Sequence, residues 1–543
     1  METYMKRLIS LMLLLSYLVA LISCTPKTPD VPSEDNEAPE EKPHVCEYNV
    51  EAAKAKYIKA RATCTTRAEY YYSCSCGNVG TETFYHGETA GHDYYLKSAV
   101  EKFLVKEATV KTSAVYYKSC KCGAVGQETF THGEPIQLSA EQKPYLPMSV
   151  TVTLYDIESL TYGFTYNTMA SPESAVIEIK RVGETEWTEY LPTTYEATTY
   201  DENDNLVACY ISKVEIPLLA DTDYVYRVLD KGMGVATPEC TIKTKNPKTD
   251  SFTFAHVSDS QAGPTEFGWV MKAVSDNVDL TLHTGDVVQY AQYEHEWVKM
   301  LDDNYLYVSG MPIMPIAGNH ETSYNNATFE TDKHFNNNLP EQTSTALGYY
   351  YSFIYGNVKF IMLNTNDLED NRLRAEQYDW LINELKTNTC KWTVVSIHNP
   401  MYSVGKYGAD ETRNAIALAL RDQLEGVFAE YGVDLVLQGH DHAISRTFPL
   451  NADGVATEEI TETVDGIEYI VNPDGVIYVM NGPAGTQQRA PVAVDESIYA
   501  YALSSNKASW AEITVTEDTL TVTVKWHTGA TEKVYCTWGI KKS

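Results

Sequence analysis

Five apolar runs in the second half of the chain each end in a residue that binds metal well, and they follow one another in order. "SFTFAHVSDSQ" ends at Asp259, "VDLTLHTGDVVQY" at Asp286 and "MPIMPIAGNHE" at Asn319 and His320. "KWTVVSIHNPMY" ends at His398, and "VDLVLQGHDH" at His440 and His442. Helix-like stretches separate them, and apolar strands alternating with helices are the pattern of an α/β layer fold. In open α/β sheets the strand ends and the loops after them gather at one edge, where ligands bind. Each run alone has a plain explanation: a turn at Gly-Asp, a loop at Gly-Asn-His, two solvated side chains at His-x-His. Five in succession point to one site. In extended backbone residues two apart project to the same side, so His440 and His442 are expected to face one metal or two neighbouring metals together.

The donors are carboxylate and amide oxygens with imidazole nitrogens and no thiolate, a mixture that suits Mn, Fe or Zn. Two carboxylates, one amide and three imidazoles exceed the needs of a single catalytic metal and suffice for two.

Residues 148–246 read differently. "MSVTVTLYD", "YGFTYNT", "AVIEIKRV", "KVEIPLL", "DYVYRVLD" and "CTIKTK" are short strand-like runs separated by turn-rich pieces, the spacing of an all-β sandwich. The stretch "LLADTDYVYRVLD" resembles the late strands of a fibronectin type III-like fold. No cluster of catalytic side chains lies in it.

The order of motifs from Asp259 to His442 resembles the calcineurin-like metallophosphoesterases. Together with the β-domain before it, the chain is similar to the bacterial purple acid phosphatases, and "YYYSFIYGNVKFIMLNTND" resembles their paired central strands. The resemblance covers roughly Met148 to the C-terminus. It implies an α/β metallophosphoesterase, a β-sandwich flanked by helices, over residues 250–543. It implies two divalent or mixed-valence metal ions (Fe, Mn or Zn). Asp259 and His442 would hold the first, Asn319, His398 and His440 the second, and Asp286 would bridge them. Asp286, His320 and His398 would carry catalysis, with His320 orienting the phosphate or protonating the leaving oxygen. A hydroxide activated between the metals would attack a phosphate ester in line, with no covalent enzyme intermediate.

Two positions depart from the family. The tyrosine that gives purple acid phosphatases their colour lies three residues after the bridging aspartate; here Gln289 stands there, and Tyr290 is one residue late. Other metallophosphoesterases ligate with a histidine two after the first aspartate; here Gln261 offers an oxygen instead. No histidine lies between His398 and His440, so an acidic pH optimum is not implied. Lys406 and Arg413 could contact phosphate but read more simply as solvated surface charges.

Upstream lies a duplication. "ATCTTRAEYYYSCSCGNVGTETFYHGE" and "ATVKTSAVYYKSCKCGAVGQETFTHGE" align without a gap, 46 positions apart (Cys74 against Cys120), defining two small Cys-containing β repeats at 44–90 and 91–135. Cys46 falls on His92, Cys76 on Cys122, His86 on His132 and Cys64 on Val110. Structural zinc would use Cys46, Cys74, Cys76 and His86 in one copy and His92, Cys120, Cys122 and His132 in the other. A Cys46–Cys64 disulfide is the alternative, since both partners are missing from the second copy. Both readings stand, and either makes the repeats structural.

The first residues read as an address. Lys6 and Arg7 precede an apolar run, and residues 1–24 form a lipoprotein signal peptide whose "LISC" resembles the bacterial lipobox, with Cys24 as the lipidated residue. Residues 25–43 are a Pro- and acid-rich tether with nothing to bury. A protein held at the outer face of a cell membrane is the expectation. The formal net charge of −32 excludes nucleic acid as a partner and leaves local cations to attract a small phosphate ester. The expected activity is phosphomonoester hydrolysis. The alternatives are a phosphodiesterase or nucleotidase of the same fold, or a surface-binding lipoprotein with a spent catalytic domain.

Overall fold

The computed structural model describes residues 44–322, 329–341, 349–409, 414–487, 489–492, 494–503, 507–529 and 531–543. The signal peptide, Cys24, the tether and Arg413 lie outside the described residues. The described residues form two compact units, 44–97 with 118–128, and the described part of 98–117 with 129–543.

In the first unit, Ile58–Ala60, Ala68–Ser73 and Val79–His86 form a three-stranded antiparallel sheet. Its core is small: Tyr57, Cys74 and Phe84 are buried, while Tyr85 and Val79 are exposed. The same succession of strands recurs at Leu104–Lys106, Ala114–Ser119 and Val125–His132, so the sequence repeat is a repeat of structure. The boundary between the two units runs through this second copy.

The second unit contains a two-sheet β region from Met148 to Lys243. One sheet joins Met148–Asp156, Thr161–Thr168, Leu206–Pro217 and Thr193–Tyr200; the other is built on Ala175–Arg181 and Asp223–Asp230. The strand Thr193–Tyr200 has no counterpart in the sequence reading. Its "TTYEATTY" is mostly exposed, so no alternation of apolar and polar residues announces it.

After Asp250 two further sheets face each other. β1 (Phe252–Val257), β2 (Leu280–His283) and β3 (Ile313–Pro315) run parallel at one end of an eight-stranded sheet. β4 (Trp392–Ile397) and β5 (Leu435–Gln438) run parallel in a seven-stranded sheet. Strands covered on both sides read as unbroken apolar runs, and every residue of β4 is buried. Phe254 of β1 meets Phe360 of the opposite sheet edge-on, ring centroids 5.1 Å apart, in the core between the sheets. Helices seal the outer faces. α1 (Pro264–Asn277) buries Phe267, Val270 and Val274 against one sheet. α2 (Ala375–Thr387) and α3 (Ala415–Glu430) bury Leu381, Leu385, Leu420 and Phe428 against the other. The five metal-binding motifs are therefore divided between two sheets of a sandwich and do not line the edge of one open sheet.

The β region and this sandwich share a core: Phe164 and Tyr226 belong to the same apolar cluster as Tyr305, Met314 and Ile316. Polar bonds add to the joint, including Ser149 Oγ to Glu294 at 2.6 Å and Tyr226 OH to the Ser309 carbonyl at 2.7 Å.

Candidate metal centre

The residues of the five motifs sit one to five positions beyond the ends of β1 to β5. Parallel strands in two facing sheets deliver their following loops to one place. There Asp286, His398 and His440 form one cluster of potential ligands, and Asp259, Asp286 and His442 another. Within each, the ligand atoms lie within 4.8 Å of one another. Asp286 belongs to both clusters. Asn319 joins the first, its Oδ1 lying 3.1 Å from His398 Nε2.

The backbone here is unusual. Asp259, Asp286, His440 and His442 have φ of 51°, 57°, 73° and 52°, the left-handed region that non-glycine residues seldom adopt. Such conformations cost of order 1–3 kcal/mol each and persist where surrounding structure enforces them. β5 ends at Gln438, so His440 and His442 are not two residues of an extended strand. The expectation that strand alternation aligns them is corrected: the chain turns at both positions. His442 Nε2 lies 3.3 Å from Asp259 Oδ1, while His440 Nδ1 lies 3.2 Å from His398 Nε2.

Each imidazole is oriented from behind. His398 Nδ1 donates to the Thr284 carbonyl at 2.7 Å, which turns Nε2 toward Asp286. His442 Nδ1 likewise donates to the Gln487 carbonyl. A backbone acceptor behind the ring is the usual way a ligand imidazole has its tautomer fixed. His440 packs its ring on Tyr407, centroids 4.1 Å apart, and its main-chain N–H donates to Asp259.

Two carboxylates are buried here, and among the described residues their ion-pair partners are imidazoles. Burial opposes charge on Asp286, yet His398, His320 and His440 outweigh it and hold its carboxyl well below the usual carboxylate range. Burial likewise opposes the His398 imidazolium, but Asp286 overcomes it and raises the pKa to about 9. Burial, reinforced by His398, pushes His440 down to about 3. The pocket thus concentrates negative potential where protons on His398 and His442 are the available positive charges, and metal cations satisfy it better.

Gln261 supports the same reading. It is buried; its Nε2 lies 3.2 Å from Asp286 Oδ2 and 3.3 Å from His442 Nε2, and its Oε1 has no hydrogen-bond partner. Turning the amide over would aim that orphaned oxygen into the Asp259–Asp286–His442 cluster, where it can only act as an electron-pair donor. Oxygen and nitrogen donors converging from both sides, with one oxygen waiting for a partner, fit a pair of metal ions.

His320 stands beside the clusters, outside both. Its Nδ1 donates to the Gln289 carbonyl at 2.8 Å, its main-chain N–H donates to Asp286 Oδ1, and its Nε2 faces the site 3.9 Å from Asp286 Oδ2. Gln289 packs against His320. Tyr290 is 42% exposed, its ring set edge-on to Tyr293. Lys406 is exposed.

One important residue escaped the sequence reading. Glu321 is buried and accepts main-chain N–H bonds from Gly318 at 2.7 Å, Asp286 at 2.8 Å and Val287 at 2.9 Å. It ties the loop after β2 to the loop after β3, and burial with Asp286 nearby pushes its pKa up to about 7. A glutamate following a histidine in a loop gives no local signal of this. Asp441, between the two histidines, is also fully buried and accepts from Tyr407 N and Arg489.

In the repeats the structure departs from both readings of the cysteines. Cys46, Cys74 and Cys76 come together, but with His44; Cys120, Cys122 and His92 come together, but with Cys64. His86 and His132 belong to neither group. The paired cysteines sit in the hairpin turn, whereas His86 ends the strand Val79–His86, and eight residues at about 3.3 Å each carry it far from that turn. Its ring rests edge-on against Tyr70, as that of His132 does against Tyr116. A Cys46–Cys64 disulfide is not formed; both thiols are free and lie in different groups.

Comparison with known proteins agrees with the geometry. Residues 252–443 match the family model of the calcineurin-like phosphoesterases. An uncharacterized protein of Mycobacterium tuberculosis is 29% identical over 313 residues, 50% of this chain and 57% of that protein. Purple acid phosphatase 18 of Arabidopsis thaliana is 31% identical over 247 residues, covering 43% of this chain and 52% of the relative. The chain therefore spans little more than half the length of these curated relatives. Among solved structures, purple acid phosphatase PPD1 from yellow lupin (Lupinus luteus) seeds superposes with a TM-score of 0.60 over 80% of each chain, at 15% identity. PhoD does so with a TM-score of 0.52 over 75% of this chain and 92% of its own. At such identity the likeness is one of fold. Residues 252–443 thus match the calcineurin-like phosphoesterases, in a chain that shares the fold of a purple acid phosphatase.

Proposed function

We propose that this protein is a binuclear metal-dependent phosphoesterase that hydrolyses phosphomonoesters. The observation that carries the reading is the sharing of Asp286 by two ligand clusters. Asp259, Gln261 and His442 would hold one metal, and Asn319, His398 and His440 the other, with Asp286 common to both. When bound, such a pair of cations neutralises the phosphate and supplies a strong oxygen nucleophile near neutral pH. The protein's own groups do the rest. Asp286 and Asp259 are held ionised, Thr284 and Gln487 fix the ring orientations, and Glu321 holds two of the loops in register. His320 presents Nε2 to the site and donates a proton to the leaving oxygen from its doubly protonated form, because Nδ1–H is already engaged by Gln289.

The diester or nucleotidase reading has one observation in its favour. A recess of about 290 Å³ opens beside His440, lined by Asn366, Asn399, Tyr407 and Asn414, with room for an organic group next to the phosphate.

The test is a panel of phosphomonoesters, diesters and nucleotides assayed before and after chelation. Monoester turnover that chelator abolishes and added metal restores supports the proposal. A diester turned over faster than every monoester favours the alternative. A metal-loaded protein inactive on the whole panel overturns both and leaves a surface-binding role.

The location belongs to the same proposal. Lipidation of Cys24 and the tether at 25–43 would hold the enzyme on the exocytoplasmic face of the cell envelope, acting on small phosphate esters and not on nucleic acid. Residues 148–246 would be a fibronectin III-like domain packed against the catalytic sandwich. Loss of detergent-phase partitioning in Cys24→Ser checks the anchor.

A further inference from the structure

The first unit holds two groups of thiols and imidazoles that phosphoester chemistry does not use. In one, His44 Nε2 lies 2.8 Å from Cys74 Sγ, and Cys46 Sγ lies 3.5 Å from Cys76 Sγ. In the other, His92 Nδ1 lies 3.2 Å from Cys122 Sγ, and Cys64 Sγ lies 3.4 Å from Cys120 Sγ. Within each group all four donor atoms lie within 4.8 Å of one another. The two Cys-x-Cys pairs occupy matching turns. Cys74 N bonds to Asn78 O and Gly77 N to Cys74 O; Cys120 N bonds to Ala124 O and Gly123 N to Cys120 O. Gly77 and Gly123 close these turns at φ of 91° and 85°, which is why a glycine follows each pair.

Three sulfurs and one imidazole in mutual contact are a poor disulfide arrangement. A disulfide consumes two thiols and would leave the third, with its histidine, unsatisfied in each group. The sulfur separations also exceed the roughly 2.05 Å of a bond. They lie closer to the spacing of about 3.8 Å between two thiolates that share one tetrahedral zinc at Zn–S distances near 2.3 Å. Soft thiolates with imidazole select zinc over the harder metals suited to the Asp286 site, and four protein donors leave no open position.

We propose that the repeats bind two structural zinc ions, one held by His44, Cys46, Cys74 and Cys76 and one by Cys64, His92, Cys120 and Cys122, and that the second ion staples the first repeat to the second. Cys64 lies between the strands Ile58–Ala60 and Ala68–Ser73 of the first repeat, whereas its three partners belong to the second. The repeat explains the ligand pattern. Cys46/His92, Cys74/Cys120 and Cys76/Cys122 are equivalent positions, so three ligands of each site are duplicated. The fourth is not: Ala90 stands at the counterpart of His44 and Val110 at that of Cys64. Val110 needs no thiol, because Cys64 is spent on the second site. Modules with so few buried side chains as these need such a staple.

The test uses the full-length protein and a mercurial that attacks thiolates, with released zinc read by a chromogenic chelator. Two zinc ions per chain should be released by the mercurial. Cys76→Ser and Cys64→Ser should each release one fewer, while His86→Ala and His132→Ala release as many as the parent. Should the serine variants fold poorly, cobalt substitution of the parent gives a second reading: a thiolate-to-cobalt charge-transfer band corresponding to two Cys3His sites per chain. Phosphoesterase activity, measured in parallel, depends on other residues, so its loss or absence leaves the zinc count to stand alone. Absence of mercurial-released zinc, or a Cys46–Cys76 or Cys64–Cys120 cross-link in non-reduced peptides, would overturn the proposal.

Discussion

His320 and His440 are separable by what each touches. His440 contributes Nδ1 to the cluster with His398 and Asp286, so His440→Ala should lower metal occupancy and abolish turnover together, as metal analysis and assay of the same sample will read. His320 reaches the site from outside the clusters, so His320→Ala should keep both metals while kcat falls by about 10²–10⁴, the usual worth of a general acid. That loss should shrink for substrates with acidic leaving groups, which need little protonation. If it is equal across leaving groups, His320 orients the phosphate and does not protonate. Gln289 bears on colour: it lies against His320, and Tyr290 is 42% exposed with its ring set against Tyr293. The metal-loaded protein should therefore lack an intense phenolate-to-iron band, and Tyr290→Phe should leave the visible spectrum unchanged.

The loops after β1, β2 and β5 carry the site's left-handed backbone, and glycines in the loops after β3 and β5 allow the close approach. A Cβ on Gly318 would lie 2.1 Å from Asp286 Oδ1 and 2.2 Å from Asp286 N, so no side chain fits between the loops after β2 and β3. Gly439 is similarly confined, 2.5 Å from Ser258 Oγ. Gly318→Ala should push Asp286 out of its shared position, and apparent metal affinity should weaken by about 10–100-fold, the range seen when ligand orientation is disturbed. Isothermal titration with metal checks this; unchanged affinity would mean the loops part at no cost. Glu321 acts on the same pair of loops by bonding and not by space. Its bonds from the N–H groups of Gly318, Asp286, Val287 and Val288 explain how two separate turns hold one geometry.

Deletions should tell the parts of the chain apart. No residue of the metal centre lies before Asp259, so a chain beginning at Met148 should retain metal binding and turnover, read as metal content and kcat. A chain beginning at Asp250 should not fold to a soluble monomer. It would expose Tyr305, Met314 and Ile316, which share a core with Phe164 and Tyr226, and loss of one large core side chain alone costs about 3–5 kcal/mol. Soluble, active protein from the shorter chain would show that the shared core is dispensable. The β region is thus a second half of the catalytic unit's packing, which its own strand pattern could not reveal.

Local pattern made the chemistry readable from the amino-acid order. Apolar runs of strand length, each followed by Asp, Asn or His, announce which side chains are delivered where strands end, and the duplicated cysteines announce two similar modules. These signals are local because a strand and its following turn are local. Folding in space added what depends on residues far apart. Two sheets, and not one, carry the motifs, because packing Phe254 on Phe360 joins segments a hundred residues distant. The left-handed backbone at Asp259, Asp286, His440 and His442 arises only where the facing loops hold it. Glu321 matters because Asp286 and Gly318 come to it. The same holds in the repeats. Alignment pairs His86 with His132, yet a hairpin places them at the end opposite the paired cysteines, and His44 and Cys64 take their places from positions whose counterparts in the other copy, Ala90 and Val110, offer no ligand.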